Sequence, residues 1–253
     1  MIDLIALFGT LIGISAILGG QWLEGGHIGQ IAQLAAAVIV LGGTVGAVLV
    51  SFPGKEIALA LKMLPQVYRT RHDDPNALIQ DIVRIATVAR KEGVLAIEMQ
   101  MESVRDPMFR RCLQYVIDGF EPATVREILE FEIDASRQRE ESAARVFEAA
   151  GGYAPTIGIL GAVLGLIHVM SMLNEPSKIG DGIAVAFVAT VYGVALANLV
   201  FLPWGSKLKR LADENARIKE LVVHGVLGIQ EGLNPNFLGE KLKAFLQDPE
   251  NQK

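Results

Sequence analysis

The apolar residues of this chain are gathered into four long blocks that polar segments separate. The blocks cover about residues 3–20, 31–52, 153–173 and 182–204, and no Asp, Glu, Lys or Arg lies deep inside any of them. At about 1.5 Å per helical residue, each block can cross a hydrocarbon core of roughly 30 Å. The pattern therefore predicts four membrane-spanning helices.

The polar segments carry apolar residues at helical spacing, with Asp, Pro and Gly placed where helices start and stop. We expect span two to stop at Phe52-Pro53-Gly54. In the middle region we expect a helix start at His72–Asn76, a break at Gly93 and a helix from Asp106-Pro107 to Gly119. A long helix should then begin at Pro122 and lead into span three. In the tail we expect a helix to about Gly232 and a last short helix after Asn234-Pro235.

These elements predict an all-α polytopic membrane protein with a helical cytoplasmic domain between spans two and three. We divide the chain into spans one and two (1–53), the cytoplasmic helical domain (54–151), spans three and four (152–204) and a cytoplasmic C-terminal tail (205–253).

The basic residues indicate the orientation of the four spans. The connectors between spans one and two and between spans three and four together hold only Lys178 as a basic residue. Cytoplasmic segments next to a membrane are enriched in Lys and Arg, so both termini and the middle region are predicted to be cytoplasmic. The basic residues that follow spans two and four are Lys55, Lys62, Arg69, Arg71, Lys207, Lys209 and Arg210.

The first block resembles a secretory signal, since it is apolar and ends in small residues. A signal peptide begins with a basic segment, whereas this chain begins with Asp3 and no Lys or Arg, so we expect a retained first span. The single cysteine, Cys112, lies in the charged middle region and is expected to be a reduced thiol that faces the cytoplasm.

The residue types argue against an enzyme. The chain has no phosphate-binding loop of P-loop spacing, no metal-ligand cluster and no nucleophile with a base at motif spacing, so no catalytic residue and no cofactor are predicted. The net charge of −5 gives no indication of nucleic-acid binding. An ion transporter should carry an ionisable group inside the bilayer. If ions move along this protein, a partner must bring the carboxylate.

A few polar residues inside the blocks leave two interpretations open. His168, about midway through span three, either relays protons or is a neutral imidazole that is hydrogen-bonded between helices. The hydroxyls of Thr156, Ser171 and Thr190 either line an ion path or bond to a carbonyl of their own helix.

Small residues, prolines and a charged patch are the other candidate features. The small-residue stripes of spans three and four (Gly158, Gly161, Ala162, Gly165 and Ala189, Gly193, Ala197) fit tight contact, either within the chain or with the helix of a second protein. Pro155 and Pro203 either mark helix ends or form a hinge. Arg90 and Glu98 share one exposed face if their helix is continuous. This charged face is either a solvated surface or a docking surface for another protein.

Four strings, in this order, identify a family: ARKEGVLAIE (89–98), DPMFRRCLQYVIDG (106–119), APTIGILGAVLGLIHVM (154–170) and ATVYGVALANLVFLP (189–203). With the arrangement of spans, they resemble the MotA family of flagellar motor stator subunits over nearly the whole chain. The resemblance includes the MotC-type branch and the sodium-driven PomA-type branch.

The resemblance implies a function in flagellar rotation and a set of partners in the bacterial inner membrane. Such subunits form a ring of five around two copies of a single-span, MotB-like, peptidoglycan-binding partner, which supplies the ion-carrying aspartate. Their charged cytoplasmic residues engage the rotor protein FliG. Arg90 and Glu98 occupy those motif positions here, with Lys91, Glu92 and Glu102 as weaker candidates.

The resemblance also implies roles for residues of spans three and four. Pro155 and Pro203 match the two prolines that couple ion flow to motion, and Thr190 matches a threonine beside the ion path. Sodium-driven relatives tend to carry threonines where this chain has Ala162 and Ala189. The loss of two oxygen ligands favours H⁺ over Na⁺ as the transported ion.

Two other functions were considered. ExbB- or TolQ-like energy transducers have three spans, with the large cytoplasmic loop after the first, whereas two blocks precede residue 53 here. A self-contained transporter should show buried charges or broken helices with substrate ligands, and neither is evident in the sequence.

Overall fold

A computed structural model describes residues 3–69, 74–172, 174 and 176–247, and only the backbone of residues 176–178, 181 and 247. The described residues form helices and no β-strand, as the all-α prediction requires. The α-helices are α1 (Leu4–Leu23), α2 (Ile28–Ile31), α3 (Leu34–Ala37), α4 (Gly43–Ser51), α5 (Gly54–Met63), α6 (Pro75–Glu92), α7 (Pro107–Ile117), α8 (Pro122–Ser171), α9 (Pro176–Leu196), α10 (Leu202–Gln230) and α11 (Pro235–Gln247). Two π-helices (Val38–Gly42, Ala197–Phe201) and two 3₁₀-helices (Leu64–Tyr68, Val94–Ser103) complete the helical elements.

Four described helical stretches are long and apolar enough to cross a membrane, which confirms the predicted number of spans. The first is α1, the second is Leu34–Ser51, and the last two are the apolar parts of α8 and of Gly182–Gln230. No residue of α1 is buried within the chain. Its apolar side chains therefore face outward, as lipid contact requires.

Span two begins at Leu34 rather than near residue 31, because the helix is interrupted at Ala32 and Gln33. The Tyr192 hydroxyl donates a hydrogen bond of 2.6 Å to the Ile31 carbonyl and accepts one of 3.4 Å from the Gln33 N–H. An interruption at membrane depth needs such partners, because lipid offers none to free backbone groups.

The residues fall into two compact units. The first unit comprises Met1–Arg71 and Arg139–Arg210, and the second comprises His72–Gln138 and Leu211–Lys253. This division follows packing between residues. It does not locate the membrane boundary, so the predicted limits of the cytoplasmic domain, 54 and 151, stay predictions.

The second unit has the larger apolar core. This core is enclosed by helices α6, α7 and α11, by residues 94–103, and by the first part of α8 and the later part of α10. Its largest fully buried side chains include Phe109, Ile82, Ile85, Leu113, Leu129, Leu221, Leu238 and Leu242. Cys112 also lies in this core with none of its surface exposed, so the expectation that its thiol faces the cytoplasm was wrong. It lies on the apolar side of the amphipathic helix α7, between Phe109 and Val116.

The predicted helix boundaries are confirmed where they are described. Asp74 accepts a hydrogen bond of 2.9 Å from the Asn76 N–H at the start of α6, while His72 and Asp73 lie outside the described residues. Asp106 accepts one of 2.7 Å from Phe109 at the start of α7. Such side-chain caps satisfy N–H groups that have no partner within the helix.

Glycines end the corresponding helices. Gly93, Gly119 and Gly232 have φ values of +90°, +77° and +68°, in the left-handed region where a residue with a Cβ is strained. Phe52 ends span two in extended backbone, with a φ of −126°. The long helix α8 runs unbroken for 50 residues, which confirms that the helix from Pro122 continues into span three.

Candidate functional site

Spans three and four pack against each other through their small residues. A Cβ built on Gly158 would lie 2.8 Å from the Ala189 carbonyl oxygen, and one on Gly165 would lie 3.0 Å from the Ala186 Cα. Contacts this short leave no room for a side chain at either glycine. Within this chain the small-residue stripes therefore serve contact between spans three and four, which is the first of the two interpretations.

The opposite side of span three remains open. Leu160, Val163, Leu164, Ile167 and Met170 are apolar and between 46% and 65% exposed. An apolar surface of this kind on a spanning helix can face lipid or the helix of another chain.

The predicted ion-path residues differ in how accessible they are. Ala162 and Thr190 are half-buried, whereas Ala189 is fully buried and packs in a cluster with Ala36, Val40 and Val188. A position for an ion ligand needs access to the ion. Ala162 and Thr190 meet this condition within the single chain, and Ala189 does not.

The three candidate hydroxyl groups, those of Thr156, Ser171 and Thr190, turn toward their own helices. Thr156 donates to the Tyr153 carbonyl at 2.8 Å and Ser171 donates to the His168 carbonyl at 2.7 Å. Thr190 makes a long contact of 3.5 Å with the Ala186 carbonyl. Thr190 is therefore the most weakly held of the three hydroxyls.

The side chain of His168 is exposed. Across the described residues, its imidazole forms no hydrogen bond with another helix of the chain, so a bond between helices would need a helix of another chain. Its lipid-facing or partner-facing position leaves the proton-relay hypothesis untested.

Pro155 lies inside α8, so the helix-end interpretation was wrong for this residue. Pro203 is the second residue of α10, which follows the π-helix Ala197–Phe201 without a break. A proline has no N–H, so Pro155 leaves the Gly151 carbonyl, and Pro203 the Leu199 carbonyl, without the usual helical donor. A π-helical turn directly before a proline is a place where a helix can bend.

The candidate rotor-binding residues are exposed but do not share one helix. Arg90, Lys91 and Glu92 end α6, whereas Glu98 and Glu102 lie on the 3₁₀-helix that follows Gly93. The condition of a continuous helix is therefore not met, because Gly93 redirects the chain.

The 3₁₀-helix Val94–Ser103 packs against the core of the second unit. Ile97 and Val104 are fully buried, and Arg84 of α6 donates hydrogen bonds to Gln100 at 3.3 Å and Ser103 at 3.0 Å. Among the described residues, none of the five charged candidates forms an ion pair within the chain. Their charges are available to a partner.

One polar cluster was missed by sequence reasoning. The ammonium of Lys207 contacts the carboxylate of Asp3, and Trp204 Nε1 donates a hydrogen bond of 2.9 Å to the Tyr68 hydroxyl. Trp204 is an aromatic residue at the end of span four, where such residues are enriched, and Tyr68 ends the 3₁₀-helix Leu64–Tyr68. That enrichment was the available signal for Trp204, but the Tyr68–Trp204 and Asp3–Lys207 pairs join residues 136 and 204 positions apart in sequence.

Comparison with known proteins gives two family matches. Residues 100–220 match the MotA/TolQ/ExbB proton channel family, and residues 7–93 match the Motility protein A N-terminal domain. The chain is 34% identical to Motility protein A of Bacillus subtilis (strain 168), over 96% of this chain and 91% of that protein.

Two further comparisons agree along the whole chain. It is 33% identical to chemotaxis protein PomA of Vibrio alginolyticus, over 97% of this chain and 96% of that protein. The solved C. jejuni MotAB structure superposes with a TM-score of 0.91 at 29% identity, covering 98% of both chains. The chain therefore belongs to the MotA/TolQ/ExbB proton channel family and carries the N-terminal domain of Motility protein A.

Proposed function

We propose that this chain is the ion-conducting stator subunit of the bacterial flagellar motor and that protons drive it. The observation that carries this function is the similarity, along nearly the entire chain, to Motility protein A, to PomA and to MotAB structures. Four helices that are long and apolar enough to cross a membrane, together with the family, support a location in the inner membrane. The basic residues after spans two and four support a cytoplasmic location for both termini.

The partner in this proposal is a MotB-like, single-span, peptidoglycan-binding subunit that carries the ion-binding aspartate. The MotAB structures from C. jejuni and Bacillus subtilis support such a partner. The absence of any carboxylate deep in the four apolar blocks supports it independently. We propose a ring of five copies around two partner helices, with the open apolar side of span three toward them.

Protons are proposed as the ion because positions 162 and 189 are both alanine. A sodium ion needs several oxygen ligands in place of its water, while a proton needs a carboxylate and a hydrogen-bonded route. The sodium-driven alternative has a specific observation in its favour, which is the 33% identity to PomA.

The rotor protein FliG is the proposed target of Arg90 and Glu98, with Lys91, Glu92 and Glu102 as secondary contacts. Their exposure on a well-anchored segment supports this role. Charges on such a surface give specificity more than affinity. Helix α8 continues from residue 122 through Pro155 to span three, which supports a link between ion binding and motion.

Reversal of both charges tests the rotor contact. The variant Arg90→Glu with Glu98→Lys should insert normally into the membrane and lose most swimming, because each rotor contact becomes repulsive. The matched control reverses the exposed pair on α11, Lys243→Glu with Glu240→Lys, whose ion pair of 3.0 Å persists after reversal. Normal torque in the first variant would contradict the proposed rotor surface.

A further inference from the structure

A cavity of about 530 Å³ lies in the first unit. The cavity is lined by the start of α1, by the 3₁₀-helix Leu64–Tyr68 and by the helix around Pro203. Among the candidate residues named above, Pro203 lines this cavity and the ion-path and rotor-binding candidates do not.

The mouth of the cavity is charged. Lys207 and Arg210 line it together with Asp3, so two cations face one carboxylate. Lys207 contacts Asp3, and an ammonium has three N–H donors, which leaves it capacity for another acceptor. The cavity is therefore lined by more basic than acidic side chains and can accept an anionic group.

The mouth also has an aromatic wall. The rings of Tyr68 and Trp204 meet edge to face, with centroids 6.5 Å apart and planes at 88°, and a hydrogen bond joins them. Rigid amphipathic rings of this type are favoured at the level of lipid headgroups.

The cavity becomes less polar further along α1. Ala6 and Gly9 line it together with Leu199 of span four, and a Cβ built on Gly9 would meet no atom within 4 Å. Thr10 and Asn198 also line it, and their side chains donate hydrogen bonds to the carbonyls of Ala6 and Val194, one turn earlier. Gly9 lies six residues beyond Asp3, which is about 9 Å along a helix. A charged mouth therefore leads into a slot, about 9 Å deeper, that has open space beside Gly9 for an alkyl chain.

We propose that this cavity binds an anionic phospholipid. Its phosphate lies on Lys207 and Arg210, and the first part of an acyl chain lies along Ala6 and Gly9. This polarity profile fits a lipid better than a free anion, which would have no use for the apolar slot. A basic pocket between spanning helices at a membrane face is a recurrent setting for lipid headgroups.

The charge arm of the test uses the purified full chain in phosphatidylcholine bilayers, titrated with fluorescent phosphatidylglycerol. Lys207→Gln with Arg210→Gln should weaken binding by about 25-fold, since each basic residue near anionic lipid contributes roughly a factor of five. The matched control, Lys55→Gln with Lys209→Gln, removes two exposed charges outside the cavity. An equal loss in the control would mean general surface attraction and would overturn the proposal.

A second variant separates loss of the phosphate contact from loss of the Asp3–Lys207 pair. Asp3→Asn breaks that pair but leaves both cations, so it should preserve or strengthen lipid binding. A loss as large as that of the charge variant would overturn the role of the two cations.

The shape arm fills the slot without a change of charge. Gly9→Leu should reduce phosphatidylglycerol binding several-fold, whereas Gly19→Leu, at another open position of α1, should not. Equal binding by Gly9→Leu would exclude an acyl chain from the slot. Free glycerol phosphate, added as a competitor, should not displace the lipid. Displacement at equal concentration would show a site for soluble phosphate and overturn the lipid assignment.

Discussion

Gly193 of span four lies directly against the backbone of Ala154 in α8. A Cβ built on Gly193 would be 2.5 Å from the Ala154 carbonyl oxygen and 3.1 Å from the Pro155 Cα. Spans three and four thus meet backbone to backbone beside Pro155, which deprives α8 of a hydrogen bond. Because the contact is to backbone atoms, a side-chain rotation cannot relieve it.

Gly193→Ala should therefore destabilise the packing of spans three and four. Overpacking of a close contact costs roughly 1–3 kcal/mol, so the apparent melting temperature of the purified protein should fall. The matched control is Gly46→Ala in span two, where a Cβ meets no atom within 4 Å. That control should be neutral or slightly stabilising, because Ala is the better helix former. Equal melting temperatures for the two variants would contradict the close contact.

Swimming without sodium is the direct test of the proton proposal. Cells that carry the unmodified chain should swim equally well when potassium replaces sodium in the medium. Loss of motility on sodium removal would refute proton coupling.

Restored threonines refine this test. Ala162→Thr should be tolerated, since Ala162 is half-buried, and should bring sodium sensitivity to swimming speed. Ala162→Val has nearly the same shape without the oxygen and should bring none. Ala189→Thr should lower the amount of folded protein, because Ala189 is fully buried and its Cβ lies 2.9 Å from a Cβ built on Gly161.

The second unit should lose stability in mild acid through His224. Burial lowers the pKa of His224 below its usual 6.5, and Lys241 and Arg126 lower it further, against a smaller opposing effect of Glu130. The unfolded chain then binds the proton more readily than the folded one. The free energy of unfolding should fall as pH drops through 6.5 and level off below the folded-state pKa.

Thermal unfolding as a function of pH measures this effect. Glu220 has an opposite effect, because burial raises its pKa and so stabilises the fold as pH falls. The difference in stability between the unmodified chain and His224→Gln removes the effect of Glu220 and leaves that of His224. The exposed His27→Gln should leave the profile unchanged. A superposable profile for His224→Gln would contradict the lowered pKa of this half-buried imidazole.

The thiol of Cys112 should be inert in the folded protein. Burial raises its pKa to about 12, so almost no thiolate exists at neutral pH. Iodoacetamide should label it only after unfolding in denaturant. A Cys112→Ala, Leu95→Cys chain is the control, since Leu95 is 72% exposed and a thiol there should react at once. Rapid native labelling of the unmodified chain would disprove the burial.

Much of the fold follows from local sequence. Blocks of apolar residues without charge predicted four spans, and Asp106-Pro107 and Gly119 marked the ends of α7. These signals are readable because membrane length, helix caps and left-handed glycines depend on neighbouring residues only. The family strings added the candidate roles of Arg90, Glu98 and Thr190, which local physics alone did not assign.

The sequence by itself determined the helices, their order, the absence of an intramembrane carboxylate and the family. Tertiary structure decided which surfaces meet. It placed Gly193 on Ala154, joined Asp3 to Lys207, buried Cys112 and turned Glu98 away from the helix of Arg90. The physical reason is that most of these contacts join residues far apart in the chain, and the position of Glu98 depends on one backbone angle at Gly93. A repeating apolar pattern determines neither the long-range contacts nor that angle.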